Sequence, residues 1–253
     1  MLFTYKFAMV FNYAQMIMNL FLFVLFARMF GARMLAVLEP YGGDYISYIL
    51  IGSIGWGYIW SAMGAASGSI QQEMMRGTFE PIFLTPTSPF VIVFAYTIWG
   101  ILMGTFSMIT FLTLGVVVFD VELTGNIFLA ILIMGLSVLM MVGFGLTVAG
   151  LNVFLKQIGS FVSVVQAVSL FLCGVYFPIE VLPEIIQPLS KALPFYYSIT
   201  ALRMALSDTV SIPAIMSYLW ILLILAVAAM ISGVFLFKKG LNRARREGTL
   251  AYY

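Results

Sequence analysis

Long uncharged apolar stretches alternate with short polar ones along this chain. The runs extend from Phe7 to Ala27, Tyr45 to Gln72, Pro81 to Phe119, Leu123 to Leu155, Gln157 to Ile179 and Thr209 to Phe237. Each reaches the roughly 20 residues that a helix needs to cross about 30 Å of hydrocarbon. The pattern predicts an all-α, polytopic membrane protein with six transmembrane helices, at 8–30, 45–69, 90–118, 124–151, 157–178 and 212–237. Together they form a single membrane domain over residues 1–253. The first run is longer than the apolar core of a signal peptide, so it is read as a retained span.

The polar interruptions differ in character. Between the second and third runs, Glu73, Arg76 and Glu80 follow one another at offsets of three and four residues. On a helix they share one face and can pair along it. The residue before a proline is pushed out of helical geometry, so Pro81 is expected to end a short docking helix at about Glu80. The alternative is a plain connector whose charges face water. After the fifth run, Gly174, Pro178, Pro183, Pro188 and Pro194 punctuate a stretch that also carries Glu180, Glu184 and Lys191. Two short re-entrant helices dipping into the outer leaflet fit that pattern, with Phe195, Tyr196 and Tyr197 as interfacial aromatics.

Polar residues inside the runs are few. Asn12, Gln15 and Asn19 fall on one face of the first span, and Ser163, Gln166 and Ser169 form a second patch in the fifth. Amides at membrane depth are costly unless paired, so both sets are candidates for lining a path, with hydrogen bonding between helices as the alternative. Small residues recur at helical spacing in the second span (Ser53, Gly57, Ser61, Ala65, Ser69) and the third (Thr97, Gly100, Gly104, Ser107). Such faces let two backbones approach closely. Trp56 and Trp60, one turn apart, are read as packing.

Composition fixes the environment: 63% of residues are hydrophobic and 9% charged, against about 25% charged in a soluble domain. An even number of spans puts both termini on one side. Placing them in the cytoplasm assigns Lys6, Arg76, Lys156, Lys238, Lys239, Arg243, Arg245 and Arg246 to inner segments and leaves Arg28, Arg33, Lys191 and Arg203 outside. That asymmetry favours cytoplasmic termini in the plasma membrane. The basic tail suits anionic lipid headgroups. A net charge of +2 implies no nucleic-acid partner, and the single Cys173 permits no intrachain disulfide.

Competing chemistries lack their residues. An ion-coupled carrier usually buries carboxylates or cations within its spans, and none of the six runs holds one. A membrane hydrolase needs a nucleophile with a base or a metal cluster, whereas the chain has no histidine. No metal site is expected. A structural or receptor subunit stays open on composition alone.

Two motifs, taken together, resemble a known family. Glu73, Arg76, Gly77, Thr78, Glu80 and Pro86 resemble the loop between the second and third spans of ABC-2 type permeases of ABC exporters. Gly174, Phe177, Pro178, Leu182, Pro183, Pro194, Tyr197 and Arg203 resemble the same family's region after the fifth span. The resemblance implies a half-transporter: two permease copies, expected as a homodimer, and two cytoplasmic ABC ATPase subunits that bind ATP and Mg. The chain itself has no G-x-x-x-x-G-K-[ST] phosphate loop, so no cofactor is assigned to it and it is read as no enzyme.

In that picture Glu73, Arg76, Gly77, Thr78 and Glu80 form a cytoplasmic coupling helix, and Phe177, Pro178, Pro183, Pro194 and Tyr197 belong to an outer gate. The expected function is ATP-driven export of an amphipathic, hydrophobic or lipid-like compound, with lipid-linked glycan as the alternative cargo. The pattern departs where Lys156 and Gln157 stand in place of the Arg-Asp common in relatives, and where only Met1 to Lys6 precede the first run.

Overall fold

The computed structural model describes residues 45–78, 81–82, 85–86, 88–119, 121, 125–155, 158–207 and 212–247, with Met18, Phe21, Leu22, Leu25 and Leu38. These residues are helical, without a strand among them. They form α1 (Tyr45–Met75), α2 (Pro89–Phe119), α3 (Ile127–Leu155), α4 (Gly159–Leu172), α5 (Gln187–Ala192), α6 (Pro194–Leu206) and α7 (Ile212–Glu247), with a 3-10 turn at Ile179–Val181.

Among the described residues, four helices are long and apolar enough to cross a membrane: α1, α2, α3 and α7. The run read as a fifth span is helical over only the 14 residues of α4. The first run falls almost wholly outside the described residues, and Asn12, Gln15 and Asn19 with it.

α1 and α2 pack as an antiparallel hairpin in which the two small-residue faces meet. A methyl on Gly100 would overlap Ala65, and one on Gly104 would press on Ser61. Farther along, Gly115 faces Leu50. The anticipated close approach therefore lies between these two helices. Hydroxyls on α2 are absorbed locally: Thr97 donates to the Val93 carbonyl at 2.7 Å and Thr105 to that of Ile101 at 2.8 Å. Such bonds satisfy a hydroxyl in an apolar setting, and the Thr105 oxygen also lies 3.0 Å from the Tyr58 hydroxyl of α1, within hydrogen-bond distance.

The closest helix pair is α3 with α7, which run parallel. Gly143 lies against Ala229 and Gly233, and seven residues on, Gly150 lies against Phe237 and Gly240. With no side chain at these positions, backbone meets backbone. Beside Gly150, the Phe90 ring of α2 meets Phe237 edge-on at 5.0 Å. α1 joins through Ala66 and Met63, which leave no room for a side chain at Gly145 of α3. α3 begins where it does because Asn126 caps it, its Oδ1 accepting from Leu129 N at 3.1 Å.

α6 closes the bundle. Pro194 starts it, where a fixed φ suits the first turn and the missing N–H would have had no partner. One face of the helix is buried, including Phe195, Ile199, Leu202 and Arg203. Phe195 was expected at the interface. It sits instead in the core, with Trp56 at 5.8 Å, Trp60 at 5.6 Å and Phe144 at 6.1 Å between ring centroids. Burial of so large a ring outweighs the tendency of aromatics to stay at the membrane surface. Tyr196 and Tyr197 are half-buried, and Tyr197 lies 6.0 Å from Tyr218 of α7.

Candidate functional site

The turn after α1 is built by a glycine. Gly77 has φ +69°, a left-handed conformation that costs a residue with a side chain about 1 kcal/mol or more. The Gly77 N–H donates to the Met74 carbonyl at 3.0 Å and the Thr78 N–H to that of Glu73 at 3.0 Å. This pair of bonds closes a helix C-terminus on a left-handed residue. α1 thus stops at Met75, and the single helix expected from Glu73 to Glu80 is not formed. The charge spacing was compatible with a helix, but a left-handed glycine inside it ends the intrahelical ladder before Glu80. A helical turn resumes at Pro81–Ile82, where the Ile82 N–H donates to the Thr78 carbonyl at 3.1 Å. Glu80 lies outside the described residues.

The same turn gathers four polar side chains. The buried Glu73 carboxylate accepts from the Thr78 hydroxyl on one oxygen and from the Tyr96 hydroxyl of α2 on the other. Arg76 pairs with the same carboxylate at 3.8 Å and donates to the Tyr96 oxygen at 3.3 Å. Its guanidinium is otherwise largely exposed. Glu73, Arg76 and Thr78 therefore do come together, around an orienting tyrosine that the charge pattern did not single out. The hairpin register contains that signal: Ser61 opposite Gly104 and Ala65 opposite Gly100 bring Tyr96 level with Ser69, one turn from Glu73.

A second cluster sits at the other end of α1. α4 ends beside Gly174, whose φ is +73°. The chain then folds back with its carbonyls pointing into the bundle. Arg203 of α6 collects them, donating to Gly174 O at 2.7 Å, Val175 O at 2.9 Å and Tyr48 O at 3.1 Å. Tyr48 donates to Gly174 O at 2.8 Å and Tyr45 to Tyr176 O at 3.0 Å. Gly52 makes space for the guanidinium, since a methyl there would overlap it. The sequence placed Arg203 among the outer cations, at the edge before the last span. It is buried, because its bonds to the Gly174, Val175 and Tyr48 carbonyls offset its desolvation.

The outer-gate candidates scatter around this cluster. Pro178 is buried, Phe177, Pro194 and Tyr197 are half-buried, and Pro183 is exposed. On α4, Ser163 is exposed and its hydroxyl donates to the Gly159 carbonyl at 3.0 Å. Gln166 is half-buried and Ser169 buried, so the three do not share one surroundings.

A cavity of about 570 Å³ opens between α1, α2, the end of α4 and the 174–176 turn. Its walls include Ser53, Gly57, Ser61, Met103, Met108 and Tyr176. None of Ser163, Gln166 and Ser169 is among the lining residues.

A family model described as ABC-2 type transporter matches residues 2–207. The Escherichia coli strain K12 protein named "Probable multidrug ABC transporter permease YbhR" is 24% identical over 179 residues, covering 70% of this chain and 48% of that protein. The protein of the same name from Escherichia coli O157:H7 matches to the same extent. The chain thus spans about half the length of these curated relatives. The family match runs through both the turn at Gly77 and the carbonyl cluster around Arg203, and with it the chain, a multi-pass membrane protein by its long apolar helices, belongs to the ABC-2 type transporter family.

Proposed function

We propose that this chain is the membrane-spanning subunit of an ATP-driven exporter, working as two copies with two separate ATPase subunits docked on the cytoplasmic side. The observation that carries the proposal is the bond from Tyr96 of α2 to Glu73 at the end of α1. It ties the turn between the two helices to both of them. Below it, the small-residue faces hold the helices in contact over several turns. A partner that grips the exposed Arg76 and the turn around Gly77 therefore pushes on the hairpin as a unit. The docking element on this reading is a capped helix end with a compact turn. Closure of the ATPases moves the turns of the two copies, and the hairpins shift against the rest of the bundle.

The termini face the cytoplasm in this arrangement, and the 174–206 segment faces outward in the plasma membrane. The cargo is an uncharged, amphipathic or lipid-like compound. Supporting this reading are the apolar lining of the cavity and the relatives' designation as multidrug permeases. Gln166 on α4 remains a candidate contact for cargo passing between the two copies.

The test is purification of the tagged protein in mild detergent, with identification of co-purifying proteins and an ATPase assay. A soluble partner with a phosphate loop and ATP hydrolysis are expected. A well-folded protein that comes out alone and inactive removes the exporter reading.

A further inference from the structure

The cavity between α1 and α2 has the dimensions and chemistry of a ligand site. At about 570 Å³ it falls within the roughly 300–1,000 Å³ of small-molecule pockets. Among the described residues that line it no side chain is charged; they are mainly aliphatic, aromatic and methionine with three serines and two tyrosines. Methionine adapts to irregular apolar shapes. Two features separate this space from a packing fault. The Ser53 hydroxyl is shielded from solvent and has no hydrogen-bond partner among the described residues, an arrangement that costs free energy and is relieved if the side chain turns toward a polar atom in the cavity.

Gly57 is the second. Gly100 and Gly104 are needed for helix contact, but a methyl on Gly57 would meet nothing within 4 Å among the described residues, and the residue is exposed. It forms an open mouth. Met103, also a lining residue, is 46% exposed, so the mouth lies on the side of the bundle near the middle of two 31-residue helices. An opening midway along two apolar helices lies at a depth where charged solutes are scarce.

We infer that this cavity binds an uncharged amphipathic molecule, with one oxygen-bearing polar end and a flexible apolar body, that enters from within the membrane. That the ligand is cargo rests on the exporter reading above; its binding does not. The described residues that line the cavity all lie within one copy of the chain.

The experiment is photolabelling of the protein, purified with any ATPase that accompanies it and reconstituted in phosphatidylcholine vesicles, by a diazirine-bearing hexadecanol. Adducts mapped by mass spectrometry are expected on Tyr58, Met103 and Met108. Gly57→Leu should lower them at least fivefold, and Gly64→Leu, an equally open position on α1 away from the cavity, should not. Ser107→Leu plugs the space from the α2 side and serves if the first variant does not reach the membrane. Ser53→Ala should reduce labelling by the alcohol about threefold and leave labelling by the corresponding diazirine alkane unchanged.

Adducts spread evenly over the outward-facing Phe106 and Ile109, or insensitive to both plugs, overturn the site. Hydrolysis measured in the same vesicles keeps the two readings apart. Cavity labelling without an ATPase partner upholds the site and removes its role in export. Hydrolysis without cavity labelling removes the site and leaves the exporter.

Discussion

The guanidinium of Arg203 lies 3.5 Å from the centroid of the Tyr48 ring, and the backbone carbonyl of the same tyrosine is one of its hydrogen-bond acceptors. One residue of α1 thus holds a buried cation by both its π-face and its main chain. A cation stacked on a desolvated ring gains about 2 kcal/mol or more, and each bond from a charged donor about 1.5–3 kcal/mol. Arg203→Ala leaves the Gly174, Val175 and Tyr48 carbonyls without this donor. It should destabilise the protein by about 3–5 kcal/mol, read as a large drop in unfolding temperature by intrinsic fluorescence in detergent. Arg203→Lys restores the charge but not the planar fork, and should recover less than half of the loss. A lysine variant as stable as the parent would show that geometry does not matter here.

Tyr48 allows the two contributions to be separated. Tyr48→Phe keeps the ring under the guanidinium and removes the hydroxyl's bond to Gly174 O, so it should cost about 1 kcal/mol. Tyr48→Leu loses both and should cost about 2–3 kcal/mol. Equal losses in the two variants would assign the whole effect to the hydroxyl.

At the opposite end of α1, Glu73 and Tyr96 should behave as a coupled pair. Glu73→Ala and Tyr96→Phe are each expected to lower cargo-stimulated ATP hydrolysis in the assembled complex several-fold. The double variant should be little worse than either, because the first change already breaks the shared bond. Additive losses would mean that the two residues act separately. Glu73→Lys, which sets a second cation beside Arg76, should uncouple hydrolysis from cargo while the protein still reaches the membrane. Normal stimulation in Glu73→Lys would remove the case for this turn as the docking element.

The α3–α7 contact is open to a direct challenge. Gly233→Val pushes a branched side chain into the Gly143 carbonyl and should destabilise by at least about 2 kcal/mol or prevent folding. Gly64→Val, where a methyl meets nothing within 4 Å, should be nearly silent in the same unfolding assay. Comparable losses at both positions would point to helix propensity alone.

Much of this architecture was legible before any coordinates. Length and hydropathy marked α1, α2, α3 and α7, and the small-residue spacing on α1 and α2 marked the faces that meet. The prolines at 188 and 194 located α5 and α6. Two readings failed for local reasons. The Glu73, Arg76 and Glu80 spacing suggested one continuous helix because charge periodicity says nothing about backbone handedness, which Gly77 decides. Arg203 and Phe195 were placed at a surface because an arginine near a span boundary usually reaches water, and only tertiary contacts reveal three inward carbonyls or a nest of tryptophans. Tyr96 was hidden inside an apolar run and becomes meaningful only once the hairpin register is known.

The paired glycines of α3 and α7 restrict how this protein can change shape. Gly143 with Gly233 and Gly150 with Gly240 repeat at seven residues on both helices. Sliding one helix along the other by less than that repeat, roughly 10 Å at about 1.5 Å per residue, would drive a side chain into bare backbone. The two helices therefore behave as one double-stranded beam, and any rearrangement must be taken up by the joints on either side of it.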